Sequence, residues 1–304
     1  MDVDTLVKQI TEEVCSKLEE EAPSAPAHAA QADTNTCGYM DHTEQRVAAV
    51  VEQDIVKQSF GEARICHRDN SRLYTVDEFA KKLDLACLLP NLQEKDIRDA
   101  CRVAREYKLA NLGVNSCWAR LVVDELAGSG VGPSATIGFP YGTLISKCKF
   151  LELEEMVKIG CKACDMVINV GAFKDKNYKL VEEEIKEFVR ICGSGCATKL
   201  IFEVGFLTDE EIATLTKMSC GLGIGYVKTS TGSQAYPDLN QVRIMRDNLS
   251  GNTKIKVSGV PRTFALPAVL YMFEVLDVSL VGTRSAGELV VEYSQYLNEM
   301  GEVL

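Results

Sequence analysis

The stretch YVKTSTGS, residues 226–233, places a lysine at the end of a short apolar run. The residues before it, Gly221 to Val227, carry no charge and fit a parallel strand that is covered on both faces. Lys228 would close this strand and lose part of its hydration, which penalises the ammonium form and lowers the pKa. Such a lysine can act as a nucleophilic amine. The alternative is a lysine that extends to the surface from a strand end, and this stretch alone does not decide between the two.

Strand-like and helical patterns alternate on both sides of this stretch, from Thr75 onward. The strand-like runs end near Leu88, Val114, Phe139, Val170, Phe206, Lys228, Ser258 and Thr283. Parallel strands need helical crossovers of this kind, and eight such units predict a closed (β/α)8 TIM barrel. A doubly wound open sheet is the alternative, but the residues after the first strand, LLPNLQEKD, lack the glycine-rich turn that it would need.

Polar residues lie where several of these strands are predicted to run or end, which is where barrels carry catalytic groups. They are Asp84, Asn115, Asp165, Asn169, Glu203, Lys228 and Lys256. Lys228 and Lys256 hold matched positions on adjacent strands, so each cation is expected to lower the pKa of the other. Asp165, two strands from Lys228, can face the same cavity and relay protons. A structural network of salt bridges is the alternative interpretation.

The residues before the predicted barrel lack its alternation of strand-like and helical patterns. We predict a helical and linker extension over residues 1–73 and the barrel over residues 74–304. Apolar positions from Val3 to Leu18 have helical spacing, residues 19–32 are rich in alanine and contain two prolines, and residues 43–59 again show a helical pattern. The extension is either an arm that binds another subunit or a partner protein, or a cover for one end of the barrel.

The charge and the distribution of apolar residues argue against some classes of partner. The formal net charge is −11 and no basic run is present, which argues against nucleic acid as a partner. No apolar stretch approaches the roughly 20 residues that span a bilayer, and the N-terminal residues lack the apolar segment of a secretory signal. We therefore predict a cytoplasmic protein without a membrane partner.

The cysteines and histidines limit which metal sites and catalytic mechanisms the barrel can have. The twelve cysteines are interpreted as reduced thiols. Cys161 and Cys164 have CxxC spacing, but no second pair lies at a zinc-ribbon distance, so we predict buried structural cysteines. The three histidines, His28, His42 and His67, all precede the barrel. Mechanisms based on histidine are therefore disfavoured for the barrel.

Six stretches, taken together, resemble the deoxyribose-phosphate aldolases, a family of class I aldolases with a (β/α)8 barrel. They are LDLACLLP (83–90), TIGFPYG (136–142), CDMVINVGAF (164–173), YVKTSTGS (226–233), KVSGVPRT (256–263) and LVGTRSAG (280–287). The similarity runs from about Tyr74 to Glu288, and the VKTSTG run is its most specific part.

The resemblance implies cleavage of 2-deoxy-D-ribose 5-phosphate into acetaldehyde and D-glyceraldehyde 3-phosphate, in deoxyribonucleoside catabolism and without a cofactor. Lys228 matches the Schiff-base lysine, Lys256 the lysine that perturbs it, and Asp165 the proton-transfer acid. The other predicted substrate- and phosphate-binding residues are Asp84, Thr229, Gly232, Ser233, Gly259, Arg262, Gly282, Arg284 and Ser285. The implied ligand is a small phosphorylated sugar, and a homodimer and a protein partner for residues 1–73 are further expectations.

The sequence departs from the family around the predicted phosphate site. Val260-Pro261 stand where two glycines are usual; proline has no N–H to donate, and valine tolerates positive φ poorly. Arg284 stands where a serine is usual, Ala86 replaces a threonine, and Gly113 replaces a larger residue. These changes leave the chemical groups in place. They also keep open an alternative function, an aldolase-fold protein with weak or lost activity that binds another protein.

Overall fold

The protein forms a closed barrel of eight parallel strands in chain order, in which each strand pairs with the next and the eighth pairs with the first. The computed structural model describes residues 74–260 and 265–303. The strands are β1 (Leu83–Cys87), β2 (Asn111–Val114), β3 (Gly132–Ile137), β4 (Ala163–Val167), β5 (Ala197–Ile201), β6 (Tyr226–Lys228), β7 (Lys254–Val257) and β8 (Val278–Thr283). The predicted (β/α)8 barrel is confirmed. The predicted extension over residues 1–73 lies outside the described residues.

Helices connect the strands and cover the outside of the barrel. They are α1 (Val76–Ala80), α2 (Glu94–Glu106), α3 (Ala119–Glu125), α4 (Ser146–Ile159), α5 (Val170–Lys174), α6 (Tyr178–Cys192), α7 (Asp209–Gly221), α8 (Leu239–Asp247), α9 (Leu266–Glu274) and α10 (Ala286–Val303). Single turns of 3-10 helix lie at Ser116–Trp118 and Val204–Phe206. Among the residues that the structure describes, no helix combines the length and apolar character that a membrane span requires.

Local capping explains several of the helix starts. Thr75, Thr208 and Asp238 each precede a helix, and the side chain of each accepts a hydrogen bond from the backbone N–H three residues later. The residue at that third position returns a side-chain bond in all three cases, which completes a capping box. Gly160 ends α4 in the left-handed conformation, at φ 111°, which favours glycine.

Side chains alternate along the strands between two environments. On β4, Cys164 and Met166 join the apolar layer under the helices, and Asp165 between them points into the barrel. On β6, Val227 joins the apolar layer in the same way, and Lys228 next to it points into the barrel. The barrel thus has an apolar outer layer and a charged interior at one level.

Three strands are shorter than predicted. β4 ends at Val167 and β5 at Ile201, so neither Val170 nor Phe206 ends a strand. Asn169 caps α5 instead, because its side chain accepts from the N–H of Ala172 at 3.0 Å. Glu203 has a left-handed backbone conformation, at φ 57° and ψ 58°, so the chain is no longer extended at this residue. β6 begins only at Tyr226, because Gly221 still belongs to α7 and a turn follows it.

Candidate active site

Lys228 and Lys256 lie side by side inside the barrel. β6 and β7 pair in register, and these two residues are direct partners. Both side chains are buried, with exposed fractions of 3% and 4%. The predicted matched positions are therefore correct, and Lys228 does not extend to the surface.

A network of two carboxylates and three lysines fills this level of the barrel. Lys228 Nζ lies 2.7 Å from Asp165 Oδ2, and Lys256 Nζ lies 2.8 Å from the same oxygen. Lys256 Nζ also lies 2.7 Å from Asp84 Oδ2, as does Lys199 Nζ. Lys199 is 3.7 Å from Asp165 Oδ1. The structure thus brings together Lys228, Lys256 and Asp165, as the sequence predicted. It adds Lys199 and also Asp84, which was predicted to bind substrate.

Charge balance distinguishes the lysines. If all five groups were ionised, the buried network would carry one excess positive charge. Loss of one proton removes that excess, and Lys228 contacts one carboxylate where Lys256 contacts two. Burial lowers the pKa of Lys228 to about 8, and repulsion by Lys256 adds to this against the attraction of Asp165.

Lys256 behaves in the opposite way. Burial alone would lower the pKa of Lys256, but attraction by Asp165 and Asp84 outweighs it and raises the pKa above the ordinary value. The expectation that each lysine lowers the pKa of the other therefore fails for Lys256 in its net effect. Lys256 remains a cation next to an amine that can lose its proton.

Both carboxylates remain ionised. Burial would raise their pKa values, but the lysines outweigh it: Lys199 and Lys256 hold the pKa of Asp84 below its usual range, and Lys228, Lys256 and Lys199 do so for Asp165. Two neutral donors complete the carboxylate contacts. Asn111 Nδ2 donates to Asp84 at 2.6 Å, and the Ser134 hydroxyl donates to Asp165 at 3.1 Å.

Lys199, Asn111 and Ser134 were missed by the sequence reasoning. It considered the ends of strands, whereas Lys199 is the third residue of β5 and Asn111 opens β2. A signal for Lys199 did exist, since this lysine stands directly before an apolar run, as Lys228 stands directly after one. Asn111 and Ser134 carry no comparable signal, because single small polar residues are common in strands that are paired on both sides.

Comparison with known proteins identifies the family. No family model matches the chain. A deoxyribose-phosphate aldolase of Clostridium tetani is 36% identical over 219 residues, which cover 72% of this chain and 100% of the relative. The chain belongs to the deoxyribose-phosphate aldolase family. A family member from Bacillus cereus is 37% identical over 185 residues, or 60% of this chain and 83% of the relative.

Solved structures agree with this assignment. A structure described as QR15, an aldolase, superposes with a TM-score of 0.66 at 30% identity and covers 71% of this chain and 96% of its own. The tetrameric deoxyribose phosphate aldolase from Aeropyrum pernix has a TM-score of 0.67 at 24% identity, covering 80% and 97% of the two chains, and supports the fold. The resemblance found in the six sequence stretches is confirmed.

Two glycines that resemble the family's phosphate residues meet where β6 and β7 end. Gly232 and Gly259 have φ of +82° and +87°, the left-handed region that favours glycine. A Cβ on Gly232 would lie 2.9 Å from Gly259 Cα, and one on Gly259 would lie 2.8 Å from Gly232 N. The two backbones therefore approach too closely for any side chain, and the contact lies just beyond the ends of β6 and β7.

The other predicted phosphate residues are placed differently. Thr229 is buried, and its hydroxyl donates to Ser258 O at 2.8 Å and accepts from Ser258 N at 2.9 Å, so it joins the ends of β6 and β7. Gly282 lies within β8 against the side chain of Lys256, where a Cβ would be 3.0 Å from Lys256 Cε. Gly282 therefore makes room for the lysine and is not part of a loop.

The remaining candidates lie on loops after the strands. Ser233 is exposed and its N–H donates to the Thr231 hydroxyl at 3.0 Å. Arg284 and Ser285 follow β8 directly, the first exposed and the second half-buried. Arg262 lies outside the described residues. Glu203 contacts the loop after β6: its buried carboxylate accepts from the Thr231 hydroxyl at 2.6 Å and from the Thr231 N–H.

Proposed function

We propose that the protein is a class I aldolase that cleaves 2-deoxy-D-ribose 5-phosphate into acetaldehyde and D-glyceraldehyde 3-phosphate. The observation that carries this proposal is the environment of Lys228. Its amine is buried 2.7 Å from Asp165, and its pKa is lowered to about 8. About a tenth of this amine is therefore neutral at pH 7, against far less than a hundredth for an ordinary lysine, and the neutral form is the nucleophile.

The chemistry follows from that amine. Neutral Lys228 adds to the aldehyde carbon C1 of the open-chain sugar, and loss of water gives a protonated imine. The C3 hydroxyl then loses its proton, the C2–C3 bond breaks, and its electrons move into the iminium. D-glyceraldehyde 3-phosphate leaves, C2 of the resulting enamine takes a proton, and water hydrolyses the imine. This hydrolysis releases acetaldehyde and regenerates the free Lys228 amine.

Asp165 is proposed to move the protons. Its pKa is held well below the usual range by Lys228, Lys256 and Lys199, which outweigh the effect of burial, so it begins the cycle as a carboxylate. It therefore accepts a proton before it can act as the acid that the resemblance implies. Lys256 keeps its proton and holds this carboxylate at 2.8 Å.

The phosphate group is proposed to lie at the loops after β7 and β8, next to the loop after β6. The close approach of Gly232 and Gly259 leaves backbone without side chains at this edge, which is the kind of surface that binds phosphate oxygens. The loops after strands 7 and 8 are the usual phosphate site of this fold.

A coupled assay for release of glyceraldehyde 3-phosphate tests the proposed function. Purified protein and 2-deoxy-D-ribose 5-phosphate are combined with a dehydrogenase that reports the triose phosphate by NADH. Turnover that needs the 5-phosphate sugar supports the proposal. No turnover by folded protein, together with no covalent trapping of acetaldehyde, would refute it.

Replacement of Gly259 by alanine is expected to weaken binding of the phosphorylated sugar. The left-handed backbone costs a non-glycine residue about 1–2 kcal/mol, and the new Cβ would lie 2.7 Å from Ser230 Cβ. KM for the phosphorylated sugar should rise roughly tenfold, and KM for unphosphorylated deoxyribose should change little.

Gly128→Ala is the matched control for this variant. Gly128 has φ +73° in an exposed turn, and a Cβ there meets nothing within 4 Å. This control therefore carries the backbone strain without the clash, and its KM values should equal those of the parent protein. A similar KM increase for both sugars in Gly259→Ala would contradict a phosphate role for this loop.

Arg284→Ser tests whether the arginine compensates for Val260-Pro261. A charge-assisted hydrogen bond contributes about 1.5–3 kcal/mol, so KM for the phosphorylated sugar should rise by roughly tenfold or more. KM for deoxyribose should stay the same. Arg190→Ser removes an exposed arginine that pairs with Glu187 on α6 and should leave both KM values unchanged. Equal KM changes for the two sugars in Arg284→Ser would mean that Arg284 does not contact phosphate.

The alternative function, an aldolase-fold protein that binds a partner, is not favoured. The full length of the Clostridium tetani relative is matched, and the charged network has the arrangement that Schiff-base chemistry needs. A homodimer, a protein partner for residues 1–73 and a cytoplasmic location stay predictions.

A further inference from the structure

Three cysteines converge on the outer side of the barrel, away from the charged network. Cys164 lies on β4, Cys192 is the last residue of α6, and Cys196 comes directly before β5. All three are buried, and their sulfurs lie within 4.8 Å of one another. The sulfurs of Cys164 and Cys196 are 3.7 Å apart. The prediction that Cys161 and Cys164 are buried is confirmed. The fold brings Cys192 and Cys196 next to Cys164, which their spacing in the sequence did not predict.

We propose that Cys164, Cys192 and Cys196 bind a thiophilic cation of the zinc class. Zn–S bonds of about 2.3 Å at tetrahedral angles place the sulfurs about 3.8 Å apart. The separation of Cys164 and Cys196 is already at this value, and the third sulfur needs a movement of only about 1 Å to reach it. Thiolates are the ligands that such cations prefer over carboxylates.

Three converging sulfurs suit an ion better than a disulfide. A disulfide joins two sulfurs at about 2.05 Å and would leave the third thiol without a role. An ion uses all three, and it would connect the end of α6 to β4 and to the start of β5. Each cysteine binds the ion as a thiolate, so any proton that it still carries is released to solvent on binding.

Cys161 would have to move toward the cluster to fill the fourth position of a tetrahedral site, because its sulfur is not among the three that lie within 4.8 Å of one another. It is buried and precedes β4, as Cys196 precedes β5. The two strands are parallel, with Ala163 beside Ala197, and the N–H of Ala197 donates to Lys162 O at 2.8 Å. Cys161 therefore lies at the same end of the strands as Cys196.

An exposed turn lies beside the cluster. Gly193, Ser194 and Gly195 form this turn between Cys192 and Cys196. A glycine-rich turn lets the two cysteines approach one centre from a single short segment. Asp165 is the chain neighbour of Cys164 but points to the opposite side of the strand, so metal binding can be measured apart from aldolase activity.

Titration of the reduced full-length protein with Cd²⁺ tests the proposal, because cadmium thiolates absorb in the ultraviolet. We expect absorption to increase until one ion per chain is bound, and Zn²⁺ to displace the Cd²⁺. Cys196→Ser and Cys192→Ser should lose this stoichiometric binding. Cys101→Ser removes a buried cysteine of α2 outside the cluster and should retain it.

Alkylation keeps the proposal testable if the cluster variants do not fold. In the parent protein at mild denaturant, Zn²⁺ should protect Cys164, Cys192 and Cys196 from iodoacetamide, as mapped by mass spectrometry, and leave Cys101 unprotected. Stoichiometric Cd²⁺ binding by Cys196→Ser, or equal alkylation of the three cysteines with and without Zn²⁺, would overturn the proposal. Neither readout depends on the aldolase reaction.

Discussion

Lys228→Ala is expected to abolish both aldol cleavage and covalent trapping. Borohydride reduces an imine to a stable secondary amine, so the parent protein treated with acetaldehyde should carry one adduct, on Lys228. The variant should carry none and show no turnover above the uncatalysed rate, because Lys256, the lysine beside it, keeps its proton. Peptide mass spectrometry locates the adduct.

The loss should not come from unfolding. Without Lys228, the network retains Lys199 and Lys256 against Asp84 and Asp165, so its charges balance. Lys256 still contacts Asp165 at 2.8 Å. The melting temperature of Lys228→Ala should therefore stay close to that of the parent protein. Lys186→Ala, which removes an exposed lysine paired with Glu182, serves as the control and should keep full activity. An adduct on Lys256 would show that the roles of the two lysines are reversed.

Lys256→Leu is expected to move the pH dependence of trapping upward. The variant loses the cation that repels the Lys228 ammonium, and Asp165 loses a competing partner, so both changes favour the protonated form. The pKa of Lys228 should rise from about 8 toward its ordinary value of 10.5. A full shift would reduce the neutral amine at pH 7 by roughly 300-fold.

The measurement is the rate of acetaldehyde trapping between pH 6 and pH 11. The neutral amine is the nucleophile, so the rate rises with pH until the pKa of Lys228 is passed, and a raised pKa moves this rise to higher pH. Lys254→Leu makes the same substitution two residues earlier on β7, at an exposed position, and should leave the midpoint near 8. A midpoint near 8 in Lys256→Leu would mean that burial alone sets the pKa of Lys228.

The sequence predicted the barrel and most of the charged network because both follow from regular patterns. Alternating strands and helices indicate a barrel, and a charged residue in an apolar strand is conspicuous. Lys199 was missed although it has that signal, because the run KLIFEVGF was interpreted as one strand ending at Phe206. The apolar residues continue beyond Ile201, where the strand ends, so hydrophobicity alone cannot locate the end.

Other features depend on contacts that no local pattern reveals. Gly282 was assigned to the phosphate site from its motif, but it lies against Lys256, and only the packing of β7 beside β8 shows this. The convergence of Cys192 with Cys164 likewise depends on how the end of α6 packs on β4. The raised pKa of Lys256 needed the position of Asp84, which lies 172 residues earlier in the chain.

The separation of those two residues has a consequence for folding. Asp84 is on β1 and Lys256 on β7, and β8 lies between them around the barrel, so their 2.7 Å contact forms only when the ring of strands is complete. Before closure, the interior of the barrel is open to water, so Lys228 is hydrated and is an ordinary protonated lysine at neutral pH. A nascent or partly folded chain therefore presents no activated amine to the aldehydes around it. The reactive group comes into existence in the last step of assembly, inside a structure that can already control what reaches it.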